Sequence, residues 1–420
     1  MGDPIAAIAN WLSGLLAGWG LSSGLINLIM AALGVLVLAT ALLVIDIGLV
    51  WMERKVVARF QDRLGPNRLG PFGLFQPFAD VLKLLIKEDI TPEGADRVVY
   101  NIAPLVPLAT VLLLWAVIPL TPTMFHTDIN VGVLFIVAVG AISTLGIIMA
   151  GWASNNKYAL LGAFRTVAQM VSYEVPMVIA LLIPVILARS MGINTIVQSQ
   201  AVWYIILAPV AAIIFLLSSI AELGRAPFDL NEAESEIVAG FHIEYTGMKF
   251  GMFYAGELLH ALTVGGLFSA LFLGGWRGFG AEAFPILGVV WFFIKALFMY
   301  WVIMWVKYSL PRIRIDHMLN FNWKLLVPLS LATLIVTAVL DKVLVALNAS
   351  ALVYILAMIA ANLVILWVTL VLVRRYARTE RIKVGEPRPV ASPANLFQGP
   401  EAAGSAAANP TAPSVSPTTQ

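Results

Sequence analysis

Residues 27–51 read NLIMAALGVLVLATALLVIDIGLVW, and Met52-Glu53-Arg54-Lys55 follow directly. Twenty-five positions with a single charge, Asp46, exceed the ~20 residues a helix needs to cross a bilayer. The basic step at the end is the usual cytoplasmic anchor of such a span. The rest of the chain repeats this pattern. It is 420 residues long, 60% hydrophobic and only 12% charged, with a mean hydropathy of +0.89; a soluble domain carries about a quarter charged residues. Further apolar runs fall at about 102–120, 131–151, 167–189, 201–221, 252–275, 286–308, 325–346 and 351–373. The fold class expected is therefore an all-α polytopic membrane protein of about nine transmembrane helices.

Nine spans put the termini on opposite sides. Of the 26 Lys and Arg, all but Arg189, Arg277, Lys342 and the intramembrane Lys295 fall after odd-numbered spans or in the C-terminal tail. The positive-inside rule then places the N-terminus outside and the tail in the cytoplasm. The location expected is a bacterial plasma membrane. Residues 1–24 lack the basic n-region of a signal peptide and read as an interfacial segment. In 72–88, Phe75, Phe78, Ala79, Leu82, Leu85 and Ile86 recur at helical spacing, with Asp80, Lys83 and Lys87 opposite. That is an interfacial amphipathic helix on the cytoplasmic side. Residues 377–420 are first basic, then rich in Pro, Ala and Ser, a disorder-prone composition.

Composition also excludes chemistry. The chain has no cysteine, so it holds no Fe–S cluster in the usual way. Its histidines, His126, His242, His260 and His317, lack haem or zinc spacing, and no nucleotide-binding glycine motif occurs. His242 and His260 are expected to be packed or hydrogen-bonded. A net charge of +2 suggests no polyanionic partner.

The unusual feature is AELGRAPFDLNEAESE, residues 221–236, with Glu222, Asp229, Glu232, Glu234 and Glu236 against Arg225. Five of the chain's 24 acids crowd into it. An N-capped loop helix beginning at Asp229, with Glu232 at its third position, accounts for two of them. Glu232 and Glu236 would share a face and Glu234 point nearly opposite. Glu174 and Glu257 lie inside the fourth and sixth spans, where each charge costs ~2.5–3.5 kcal/mol. A proton path is one account of them; snorkelling, or an ion pair with Lys295, is another. Asp46 lies near the cytoplasmic end of its span and can snorkel.

Four segments turn these features into a resemblance: ERKVVARFQDRLGPNRLGPFGLFQPFADVLKLLIKED, GWASNNKYALLGAFRTVAQMVSYEVP, AELGRAPFDLNEAESEIVAGFHIEYTG and LPRIRIDHMLNFNWK. Together, and in this order, they resemble the H-type membrane subunits of bacterial NADH:quinone oxidoreductases, the counterparts of subunit 1 of mitochondrial complex I. The resemblance covers about 25–346, the eight-helix core; a ninth helix within 347–376 and the tail lie outside it, and Asp46 matches no family position. It implies a subunit that anchors the peripheral arm and forms a quinone-access tunnel. The matching tunnel positions are Glu53, Arg54, Arg63, Asp80, Arg225, Asp229, Glu236 and Glu244. It also implies a proton relay through Glu174, Glu222, Glu232, Glu234 and Glu257.

No cofactor is expected on this chain. FMN and Fe–S clusters belong to partner subunits, and the substrate is a quinone. The Ala- and Pro-rich tail points to a GC-rich genome and so to menaquinone. The partners implied are the large quinone-site subunit, the terminal Fe–S subunit, and the small membrane subunits beside the antiporter-like ones, together with membrane lipid. Two other functions compete with this one: the membrane subunit of a complex I-related hydrogenase or dehydrogenase, and a stand-alone ion transporter. Missing inverted repeats and the two long loops, which suit docking, speak against the transporter.

Overall fold

The computed structural model describes residues 4–121, 128–229, 237–282 and 284–385, with side chains from 9 to 375. Among them every long element is helical. Two units are distinguished, 1–366 and 367–420; in the second, the described residues only continue the last helix.

The chain begins with α1 (Pro4–Gly18) and α2 (Ser23–Phe60), the latter carrying the first apolar run. Its buried residues, Leu42, Asp46, Leu49, Glu53 and Ala58, follow helical spacing and form one inward stripe. After a turn at 71–73, α3 (Gln76–Ile86) is shorter than the 72–88 expected. Phe72 takes a positive φ of 56° and Pro77 occupies the first turn, so regular helix starts only at Gln76. Phe75, Phe78, Leu82, Leu85 and Ile86 are left uncovered by the protein, as an interfacial helix requires.

The helices α4 (Arg97–Ile102) and α5 (Leu105–Leu114) together make the second span, followed by α6 (Gly132–Ala153) and α7 (Lys157–Ala188). Glu174 is followed two residues later by Pro176, inside α7. Proline has no N–H for the carbonyl four residues before it; that carbonyl, on Ser172, accepts instead from Asn322 Nδ2 at 2.6 Å. Asn322 lies in LPRIRIDHMLNFNWK, where only interface anchors were expected. Trp323 is exposed, as an anchor should be, but Asn322 is fully buried.

The fifth run departs from expectation. It is broken into α8 (Ile193–Ser199), α9 (Tyr204–Leu207) and α10 (Pro209–Glu222). Eight helices are long and apolar enough to cross a membrane, and α10 is a shorter apolar ninth. Its 14 residues rise only about 21 Å, against a hydrocarbon core of ~30 Å. Pro209 enforces the break, since it cannot continue a helix from Leu207.

The remaining helices are α11 (Gly247–Phe272), α12 (Pro285–Ser309), α13 (Ile315–Phe321), α14 (Val327–Ala346) and α15 (Ala351–Gly385). A single π turn at 322–326 joins α13 to α14. The most buried span is α11, and it packs closely on α12. A methyl group at Gly265 would meet the Ala296 carbonyl at 2.6 Å, so only glycine allows this approach. On α15, Asn362 Nδ2 donates to the Leu207 carbonyl at 2.9 Å, at the point where the fifth run breaks. Tyr354 donates to Asp341 Oδ1 of α14 at 2.8 Å. The additional helix thus serves the core through polar as well as apolar contacts.

Candidate functional site: a charged pocket at the end of the short helix

Gly224, with φ +62°, ends α10 and turns the chain back, the C-terminal role glycine fills best. Gln169 of α7, itself buried, donates to the carbonyls of Ala221 (2.6 Å) and Phe228 (2.7 Å). Phe228 packs against Tyr173 and Phe321, and Ile313 N–H donates to the Pro227 carbonyl. This clamp holds the GRAPF turn against the bundle and buries Arg225, which is 2% exposed.

Arg225 Nε donates to Glu257 Oε1 of α11 at 3.0 Å. Burial opposes the guanidinium charge, but Glu257 and Glu53 outweigh it and hold the group firmly protonated. Glu53 Oε1 accepts from Lys307 Nζ at 3.0 Å and from the Tyr308 hydroxyl at 2.5 Å, both on α12. The pocket beside this network is lined by Glu222, Arg225, Asp229, Glu257, His260 and Lys307 on its polar side. Val111, Ile147, Met170, Phe241, Phe250, Phe253 and Tyr254 supply the apolar wall. Glu174 stands within electrostatic reach of Glu222. The pocket's volume is about 100 Å³, below the ~300–1,000 Å³ of a drug-sized ligand site. It suits water or a slender apolar chain.

Of the site residues expected, Glu53, Glu174, Glu222, Arg225, Asp229 and Glu257 thus gather in or around one pocket. Arg54 and Asp80 form an ion pair joining α2 to α3. Arg63 is exposed and donates to Gln61 at 2.7 Å, apart from the pocket. Glu244 accepts from Asn156 Nδ2 at 2.7 Å, and its carbonyl accepts from the Tyr100 hydroxyl at 2.7 Å. Tyr100 and Tyr245 stack at 4.2 Å, which fixes the start of α11. Glu232, Glu234, Glu236 and the helix expected to start at Asp229 lie in 230–236, outside the described residues.

Lys295 pairs with neither Glu174 nor Glu257. Its Nζ donates to the carbonyls of Leu273 (2.8 Å), Gly275 (2.9 Å) and Arg277 (2.8 Å). It therefore caps the C-terminal end of α11, where cations are favoured. His242 and His260 line the pocket. Burial shifts His242 below the usual imidazole range, partly offset by Glu257, so it is neutral at pH 7. Gln169, Lys307 and Tyr308 were not anticipated from sequence. The described residues include no group of three or more His, Asp or Glu able to hold a metal.

This arrangement defines a class: a multi-pass membrane protein with an ionisable pocket set at one end of a broken span. A family model described as NADH dehydrogenase matches residues 32–338. The H subunit of the NADH-quinone oxidoreductase of Dehalococcoides mccartyi (strain CBDB1) is 51% identical over 290 residues, 69% of this chain and 80% of that protein. The second H subunit of the Syntrophobacter fumaroxidans enzyme is 44% identical over 339 residues, 78% and 97% respectively. Its Geobacillus kaustophilus counterpart is 46% identical over 309 residues, 73% and 92%. The chain belongs to the NADH dehydrogenase family, among its H-type membrane subunits.

Proposed function

We propose that this chain, as the H-type membrane subunit of an NADH-quinone oxidoreductase, guides a membrane quinone past the Arg225–Glu257 pocket and couples its reduction to proton movement. The observation that carries this reading is the joining of two environments in one pocket. Aromatic and aliphatic side chains make a wall suited to an isoprenoid tail, while Glu222, Glu257 and Arg225 face the same space. The small volume favours passage of the tail and of water here, with the headgroup reduced in the large quinone-site subunit. Menaquinone is the substrate proposed. FMN and Fe–S clusters would reside in partner subunits, including the terminal Fe–S subunit, and the small membrane subunits would receive the proton signal.

The basic end faces the cytoplasm in this proposal, with the N-terminus outside. There the Arg54–Asp80 pair and the uncovered face of α3 frame the quinone's access from the bilayer. Buried carboxylates near one another share protons and titrate jointly. A change of charge at the quinone is therefore felt at Glu257 through Arg225, and at Glu222 and Glu174 through their mutual repulsion. Glu232, Glu234 and Glu236 extend this relay toward the loop.

A quinone analogue carrying a photoreactive group on its tail tests the path in the assembled complex. Crosslinks to Phe250, Phe253 or Tyr254, suppressed by excess quinone, are expected. Quinone-sensitive labelling that consistently avoids the pocket-lining residues would overturn it.

A further inference from the structure

Asp46 is the acid no family motif covers, and its surroundings differ from those of a snorkelling residue. It is only 6% exposed and sits on the inward stripe of α2 between Leu42 and Leu49. Glu53 lies seven residues on, two turns and ~10.5 Å along the axis. Near the ends of α2 and α12, Glu53 meets Lys307, and Phe60 packs beside Tyr308. Two turns back along α12 from Lys307 is Tyr300, fully buried.

Five polar atoms around this region are buried without a hydrogen-bond partner among the described residues. They are Asp46 Oδ1, Glu53 Oε2, Arg225 Nη1 and Nη2, and the Tyr300 hydroxyl. Arg225 stands within electrostatic reach of Asp46, Glu53 and Tyr300. The set is chemically complementary: the two guanidinium nitrogens and the phenol can donate, and the two carboxylate oxygens accept. Buried polar groups that do not touch directly are bridged by internal water, each water making about three hydrogen bonds. The titratable and charged groups facing this space are Glu53 on α2 itself, Tyr254, Glu257 and His260 on α11, Tyr300, Lys307 and Tyr308 on α12, and Arg225 from the turn.

We propose that an internal water chain runs from the Arg225–Glu257 pair past Glu53 and Tyr300 to Asp46, and that Asp46 is its proton-holding terminus inside the membrane. This rests on the proton-coupling reading above and adds a branch along α2. Uptake converts the Asp46 carboxylate to the neutral acid with a proton drawn from pocket water. Release returns that proton along the same chain.

Three variants of the whole complex test the branch, with assembly followed by co-purification of the other subunits. Asp46→Asn is expected to assemble and to lower quinone-linked turnover roughly tenfold, within the range of substitutions along a coupling network. Asp46→Leu separates a protonic role from a structural one. Replacing an incompletely paired buried carboxylate by an apolar group is neutral or stabilising, so a structural Asp46 would leave turnover intact, whereas the branch predicts the same loss as in Asp46→Asn. Asp46→Glu is expected to restore most of the turnover.

In infrared difference spectra of the oxidised and quinol-reduced complex, a carboxylic C=O band absent from Asp46→Asn is expected. Wild-type turnover in Asp46→Leu, or no band assignable to Asp46 in wild type, overturns the branch. Glu257→Gln run alongside keeps the two claims apart. Loss there, with Asp46 variants that turn over like wild type, removes the branch alone, while full turnover and translocation in Glu257→Gln removes the coupling reading beneath it.

Discussion

Two cations are buried in this bundle, and they are used differently. Lys295 has its three donors matched by three backbone carbonyls at the end of α11. Arg225 spends one nitrogen on Glu257 and keeps two without a partner among the described residues, next to a pocket. Removing charge from water is costly in either case. At Lys295 the hydrogen bonds offset that cost and leave nothing over, so the residue fixes the helix. At Arg225 the compensation is incomplete, which leaves a group able to respond to a change in its carboxylates. Saturation marks structure here, and incomplete pairing marks function.

The comparison can be broken at several points. The largest effect is expected for Arg225→Ala, which strands Glu257 beside Glu53; breaking a buried pair costs about 3–5 kcal/mol. Both the yield of assembled complex and its quinone-linked turnover should fall. The double substitution Arg225→Met/Glu257→Met should recover assembly without recovering turnover. Recovery of both would make the pair structural, like Lys295.

Lys295→Met comes next. Each stranded carbonyl costs ~1–3 kcal/mol, reduced where water reaches it, so a thermal-shift measurement on the complex should register a clear loss. Turnover per assembled complex should stay at the wild-type level; a fall in turnover without a loss of stability would erase the distinction between the two cations. Asn362→Leu strands one carbonyl, that of Leu207, and about 1–3 kcal/mol is expected from the same rule, read as earlier proteolysis or unfolding of the α10–α15 region.

The smallest effect concerns pH. The folded structure lowers the His242 pKa, so an opened loop binds the proton first. The stability contributed is full above about pH 6.5 and is lost as pH falls toward the folded value. Hydrogen exchange of residues 240–246, corrected for its intrinsic pH dependence, should speed up below that pH, and His242→Gln should flatten the response.

How far these features could be read from the sequence follows from their range. Apolar length revealed the spans because the bilayer imposes it locally, residue by residue. The break in the fifth span also had a local signal, Pro209 within the run, which hydropathy averaged away. Pro176 likewise announced a free carbonyl on Ser172, but the donor, Asn322, lies 150 residues along the chain. The same holds for the site. Charge placement singled out Glu222, Glu257 and Arg225, yet whether Arg225 or Lys295 pairs with Glu257 depends on packing between distant helices. Gln169 looked like an ordinary polar residue in a span until its two carbonyl partners were in place.

The most direct test of the central claim is Glu257→Gln in the whole complex, reconstituted in sealed vesicles, with quinone-linked NADH oxidation and proton translocation measured together. The substitution keeps shape and removes the titratable group. The account predicts an assembled complex in which quinone-linked turnover, proton translocation or both are impaired. Full turnover with full proton translocation would contradict it.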